Sequence, residues 1–113
     1  TQWTYFHRPA AFRRSRSGVF LVGELGPSMP HIRYAPNLGP RVRIVSPAGD
    51  IVATIGDQLA ADAADRFIAP HAIGMDSRGD VYLGEVATSY WSSIFPGTPA
   101  PEPVRSLRKL QRI

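Results

Sequence analysis

The segment "PAAFRRSRSGVFLVGEL" (9–25) lies without a gap over "PHAIGMDSRGDVYLGEV" (70–86), at a constant offset of 61 residues. Pro9 meets Pro70, Ala11 meets Ala72, Phe12 meets Ile73, Gly18 meets Gly79, and Gly23-Glu24 meets Gly84-Glu85. A duplication of this kind restricts the fold strongly, because each copy must be one supersecondary unit that buries its faces against neighbouring units. After each copy comes a Pro-rich loop and then a basic apolar segment, "RVRIVS" (41–46) in the first unit and "SLRKLQRI" (106–113) in the second.

Within a unit the periodicity is that of strands. "VFLVGEL" and "VYLGEV" are rich in β-branched and aromatic residues, while "SRSG", "DSRGD" and "SPAGD" place glycine where a hairpin turn needs positive φ. "DIVATIG" (50–56) follows "SPAGD" at hairpin distance. The first unit is therefore expected to hold four antiparallel strands, at 9–14, 18–25, 41–46 and 50–55, the pattern of one propeller blade. With 11 prolines and 10 glycines in 113 residues, long helices are excluded and the expected class is all-β. The Ala-rich "QLAADAADR" (58–66) is the one place where a turn or two of helix is expected, its alternative being an irregular loop between units.

Thirteen Lys plus Arg against nine Asp plus Glu give a formal charge of +4. The basic residues are dispersed, and no zinc finger, recognition helix or RNP motif accompanies them, so nucleic acid is not the expected partner. Cysteine is absent, which excludes disulfides and thiolate metal sites. No apolar run reaches the length of a membrane span, so a membrane partner is not expected either. No nucleophile elbow, phosphate loop or dinucleotide fingerprint is present.

"DRFIAPHAIGMDSRGDVYLGEV" followed by "RSLRKLQR" resembles an NHL-type repeat: a Phe, a Pro-His pair, an apolar strand, a D-x-x-G turn, an aromatic strand and a closing basic strand. The chain is similar in particular to the bacterial six-bladed propellers related to peptidyl-hydroxyglycine amidating lyase. The resemblance implies two four-stranded blades, one at about 7–56 and one at about 70–113, joined by a linker at 57–69. It further implies a ligand face at a central channel and metal-dependent lyase-like chemistry on peptides or small molecules, with zinc as cofactor. The alternative is a non-catalytic propeller segment that binds a protein or peptide. A sugar-lactone hydrolase, as in other six-bladed enzymes, would need acidic metal ligands that this chain does not offer.

Strands in a blade alternate in direction, so the long segments 26–40, 56–69 and 87–103 should gather at one end and the short turns at the other. Function in such scaffolds collects on long loops. His71 should begin an innermost strand at that end. By resemblance it matches a zinc-ligand position; its alternative role is to start a strand and hydrogen-bond a neighbouring unit. The other ligands have no counterpart: Ala10 follows Pro9, and Ala72 stands where the lyase's last blade has an acidic residue linked to calcium. His7 and His31 are either further ligands or solvated loop residues. Arg33, Tyr34, Tyr90 and Trp91 are candidate ligand-binding residues, with Arg33 suited to an anion such as a carboxylate and Phe95 an accessory wall. The aromatics could instead pin loops to blades. Glu24 and Glu85 are read either as paired acid/base carboxylates or as acceptors of backbone N–H groups at the start of the next loop, the latter favoured because both units carry one. Asp76 is read as a turn former.

Two blades leave broad apolar faces uncovered. Two resolutions are expected: the chain belongs to a longer protein that supplies the remaining blades, or three copies close one ring head to tail. In the second case three His71 side chains would surround one axis, and the alternating "QWTYF" (2–6) would supply the missing outer strand of a last blade; it is equally read as the outer strand of a preceding blade.

Overall fold

The structure is a computed structural model and describes residues 1–27, 34–56 and 59–112. Among the described residues it is all-β with one helix. The first sheet contains β1 (Pro9–Arg14), β2 (Phe20–Glu24), β3 (Arg41–Val45) and β4 (Ile51–Gly56), in the order β1-β2-β3-β4. The second contains β5 (Pro70–Met75), β6 (Val81–Glu85) and β7 (Leu107–Leu110), in the order β5-β6-β7, with α1 (Ala87–Ile94) inserted before β7. Every pairing is antiparallel. The four strands of the first unit fall where the alternation places them. The second unit has three strands among the described residues, one fewer than a complete four-stranded blade.

The two units share more than a strand count. β1 and β5 each carry a bulge at the same place, between Pro9 and Ala11 and between Pro70 and Ala72. The repeat-matched residues Ala10 and His71 are thus the extra residues of the two bulges. The turns are closed alike too, by Ser15 N–H to Val19 O at 2.8 Å and Asp76 N–H to Asp80 O at 3.0 Å. At the second of these, the Asp76 carboxylate accepts the N–H groups of Arg78 and Asp80 at 2.9 and 3.1 Å, an Asx turn.

The sheets meet through a core of Leu21, Val42, Phe67, Val81 and Leu83, with Ile55, Ile73, Met75 and Leu110 at its margin. Two glycines allow this approach. A Cβ on Gly23 would stand 3.0 Å from Ala11 Cβ and 3.3 Å from Ile73 Cδ1 of the second sheet. Gly56 has φ +85°, and a Cβ there would stand 2.8 Å from the Phe67 ring. Phe67, just 2% exposed, fills the gap between the sheets, with the Arg108 guanidinium 5.7 Å from its ring centre.

One expectation is corrected. The described part of 58–66 contains no helix; the helix lies at Ala87–Ile94, in the segment read as a loop. A short helix in water is held by the apolar face it buries rather than by propensity. Residues 58–66 offer chiefly small side chains, whereas Ala87, Trp91 and Ile94 recur at helical spacing and pack on Ile68, Ala69 and Ala60. Residues 2–6 form no strand. They fold back onto the first sheet instead, with Trp3 edge-on to Phe20 at 5.3 Å and the Tyr5 hydroxyl donating to Gly49 O. No helix among the described residues is long and apolar enough to cross a membrane.

The β6–β7 edge carries a charged cluster with a pH signature. Lys109 Nζ lies 2.8 Å from Asp80 Oδ2, and Arg112 N–H donates to Asp80 Oδ1 at 3.0 Å. The Lys109 hydrogen bond and then the Arg112 amide hold the Asp80 carboxyl below its ordinary value, and the same bond to Asp80 raises Lys109. A lowered carboxyl stabilises the fold above its unfolded-state pKa, and that contribution disappears as pH falls through the lower folded value. A raised ammonium contributes at every pH below its unfolded value and is lost above it. Asp80→Asn is therefore expected to lower Tm on a plateau between about pH 5 and 9. The gap from wild type should close as pH falls below the ordinary carboxylate range and through the lowered folded value, as followed by circular dichroism. A gap independent of pH would show that the carboxylate charge is not what stabilises this edge.

Candidate functional site

The ends of the sheets differ. The starts of β1, β3, β5 and β7 and the ends of β2, β4 and β6 lie together, so the N-terminal segment and the connections β2–β3, β4–β5 and β6–β7 all emerge at one end. The short turns occupy the other.

A matched pair of glutamates anchors the long-segment end. Glu24, fully buried, receives His7 N–H at Oε1, Arg41 Nε at Oε2 (2.8 Å) and Arg41 Nη2 at Oε1 (3.1 Å). Arg43 Nε adds an ion pair at 2.9 Å. Glu85 receives Ile68 and Ala69 N–H at Oε1 (2.6 and 3.0 Å) and Arg108 Nε at Oε2 (2.6 Å). By strand register Arg43 and Arg108 are equivalent, since they pair with the repeat-matched Val22 and Leu83. The backbone-acceptor reading of both glutamates describes this geometry, with one correction. The N–H groups come from the segment that leads into the unit's first strand, not from the loop that follows the glutamate. Residues 7 and 68 are themselves repeat-matched, so one device is built twice. The arginine partners went unnoticed in the sequence, although the basic residues "RVR" and "RK" sit one strand over from each glutamate.

His71 is exposed at the mouth of β5, on its bulge. Among the described residues no three His, Cys, Asp or Glu side chains come together in a way that would hold a metal. The repeat partner of His71 is Ala10, so one chain brings a single imidazole where a catalytic zinc needs three donors and an open position. The donor set of one chain therefore does not make up a zinc site. His7 lies half-buried, its backbone N–H bound to Glu24. His31 and Arg33 lie outside the described residues.

The candidate aromatics separate. Tyr34 is 68% exposed. Trp91 is buried against Ile68, Ala69 and Ile94, donates Nε1–H to Thr98 O at 2.9 Å and sits 4.5 Å from the Phe95 ring. Tyr90, half-buried on the next position of α1, points to the first unit: its hydroxyl accepts Arg8 Nη2 at 3.3 Å, and the guanidinium lies 6.0 Å from its ring centre. Arg8, which sequence reasoning passed over, has φ +51° and also donates to Gly26 O. This contact joins the start of unit one to the helix of unit two at the long-segment end. The end thus presents Arg8, His71, Tyr90 and Tyr34: one fixed cation, one imidazole and two phenols. A groove of about 430 Å³ opens between the sheets at the opposite end, lined by Leu21, Ile44, Ile55, Met75, Val81 and Leu110 among others.

Compared with family models, curated proteins and solved structures, the chain matches none.

Proposed function

We propose that the chain is a segment of an NHL-type β-propeller whose long-segment end binds a small molecule or peptide through an anionic group. The observation that supports this reading is the Arg8–Tyr90 bridge beside the paired glutamate anchors, which holds a guanidinium on a rigid rim where the long segments gather. The order of the strands in each sheet and the packing of β1 and β2 against β5 agree with neighbouring blades. The buried glutamates are engaged by arginines and backbone donors and serve as anchors for that rim.

The test is an amide-resolved NMR titration with a mixture of short peptides bearing free C-terminal carboxylates. Shifts are expected around Arg8, His71 and Tyr90, with affinity at least about tenfold weaker in Arg8→Ala, the loss of one charged hydrogen bond. Shifts confined to the turns at 15–18 and 76–79 would overturn the reading. The lyase-like alternative turns on His71, whose place on a β-bulge at a strand mouth is a position at which active-site side chains are commonly aimed. Stoichiometric zinc uptake lost in His71→Ala supports that alternative; no uptake leaves the binding scaffold.

A further inference from the structure

The repeat makes each outer face of the molecule the counterpart of a face that is covered inside it. On the first sheet, the surface that meets the second unit carries Ala11, Leu21, Gly23 and Val42, all buried. Shifted by one repeat, this surface becomes Ala72, Tyr82, Gly84 and Leu107, none of them buried. Leu107, the register equivalent of Val42, is 69% exposed where Val42 is 0%. On the second unit, the surface that docks carries Phe67, Pro70 and Ile73. Its counterparts on the first unit are Phe6, Pro9 and Phe12, and Phe12 is 62% exposed. Pro70 is buried while Pro9 is exposed; Ala11 is buried while Ala72 is exposed. At these positions burial is inverted across the repeat; Val22, 3% exposed, is buried like its counterpart Leu83, the N-terminal segment with Trp3 and Phe6 lying on that side of the first sheet.

We propose that the Phe12 face of one copy of this chain docks on the Leu107–Gly84 face of a second copy, reproducing between chains the contact that Ile73 makes on Gly23 within one. The occupant is defined by the interface already present: position for position, each surface is the counterpart of one that this chain packs internally, with Tyr82 and Lys109 standing where Leu21 and Ile44 do. Like strands add to like in the same direction, so the contact is heterologous. Six sheets closing as three copies rests on the propeller reading, whereas the pairwise contact rests on the repeat alone.

The experiment is light scattering and sedimentation of the chain across the micromolar range, with two variants at exposed positions, Phe12→Asp and Leu107→Asp. Wild type is expected above the 12.4 kDa monomer mass, and each variant alone at that mass with an unchanged β-sheet spectrum. Mixing the variants should restore one intact contact, Phe12 of the Leu107→Asp copy on Leu107 of the Phe12→Asp copy, and give a 1:1 dimer. A monomeric wild type overturns the proposal. So does self-association that survives Leu107→Asp, which would mean a face pairing with itself, and so does a mixture that stays monomeric. An oligomer other than a trimer retains the contact and counts against three-copy closure alone.

Discussion

Glu24→Gln is expected to remove roughly 3–5 kcal/mol of folding stability, the range for breaking a buried ion pair from one side. The substitution keeps the shape and one carbonyl acceptor but deletes the charge between two guanidiniums. Arg41 is 3% exposed and has its Nε and Nη2 on the carboxylate, so the variant leaves a buried cation facing a neutral amide. Arg43, whose side chain is 16% exposed, loses the same partner. Single domains are held by about 5–15 kcal/mol, so a loss of this size is a large part of the total. The matched change Glu85→Gln faces one arginine instead of two, each variant leaving an arginine with one carbonyl bond, Arg41 to Asn37 O at 2.8 Å and Arg108 to Ala63 O at 2.6 Å. It should therefore cost less. Urea denaturation of both variants measures the difference; an effect of Glu24→Gln under about 1 kcal/mol, the scale of an exposed pair, would show that the anchor contributes no more than surface charge does.

Phe67→Ala should cost about 3–5 kcal/mol, the range for deleting a buried aromatic side chain from a core. The ring lies against Gly56 and the Arg108 guanidinium, within the core of Leu21, Val42, Val81 and Leu83. Its repeat partner Phe6 is half-buried against Trp3 and Tyr5, 6.5 and 4.7 Å away between ring centres. Phe6→Ala should cost less than half as much in the dissociated chain. Equal losses at the two positions would contradict the inverted burial on which the association of copies depends. Thermal and urea unfolding at concentrations below association separate the two cases.

The duplication made much of this molecule legible in advance. Strand periodicity, the glycine turns and the paired positions of Glu24 and Glu85 are local properties, and they appear in the sequence as spacing. Three things are not local. The arginine partners of the glutamates depend on the register of the adjacent strand, which Arg43 and Arg108 share although their loops differ in length. The helix depends on Ile68 and Ala69 being present to receive Trp91 and Ile94. The contrast between Pro9 and Pro70 depends on which side of each unit has a neighbour, which identical residue types cannot reveal. At the site, the place of His71 near the start of a strand was legible from the apolar run that follows it, whereas Arg8 was hidden because its contact with Tyr90 spans 82 residues.

The Phe67 ring has a further consequence when a contact between unlike faces is repeated. Such a contact has a direction, and its outcome depends on a single angle: a step that rotates by the right amount returns to its origin, and any other step spirals onward without end. Phe67 packs between the two sheets against Gly56, and Gly23 admits Ile73 beside it, so both bear on the step between the two units of one chain; Phe6 holds the matching place in a step between copies. If copies associate as proposed, a smaller side chain at 67 would weaken the core of each chain and change the step between its two units, and with it whether the series closes or runs on.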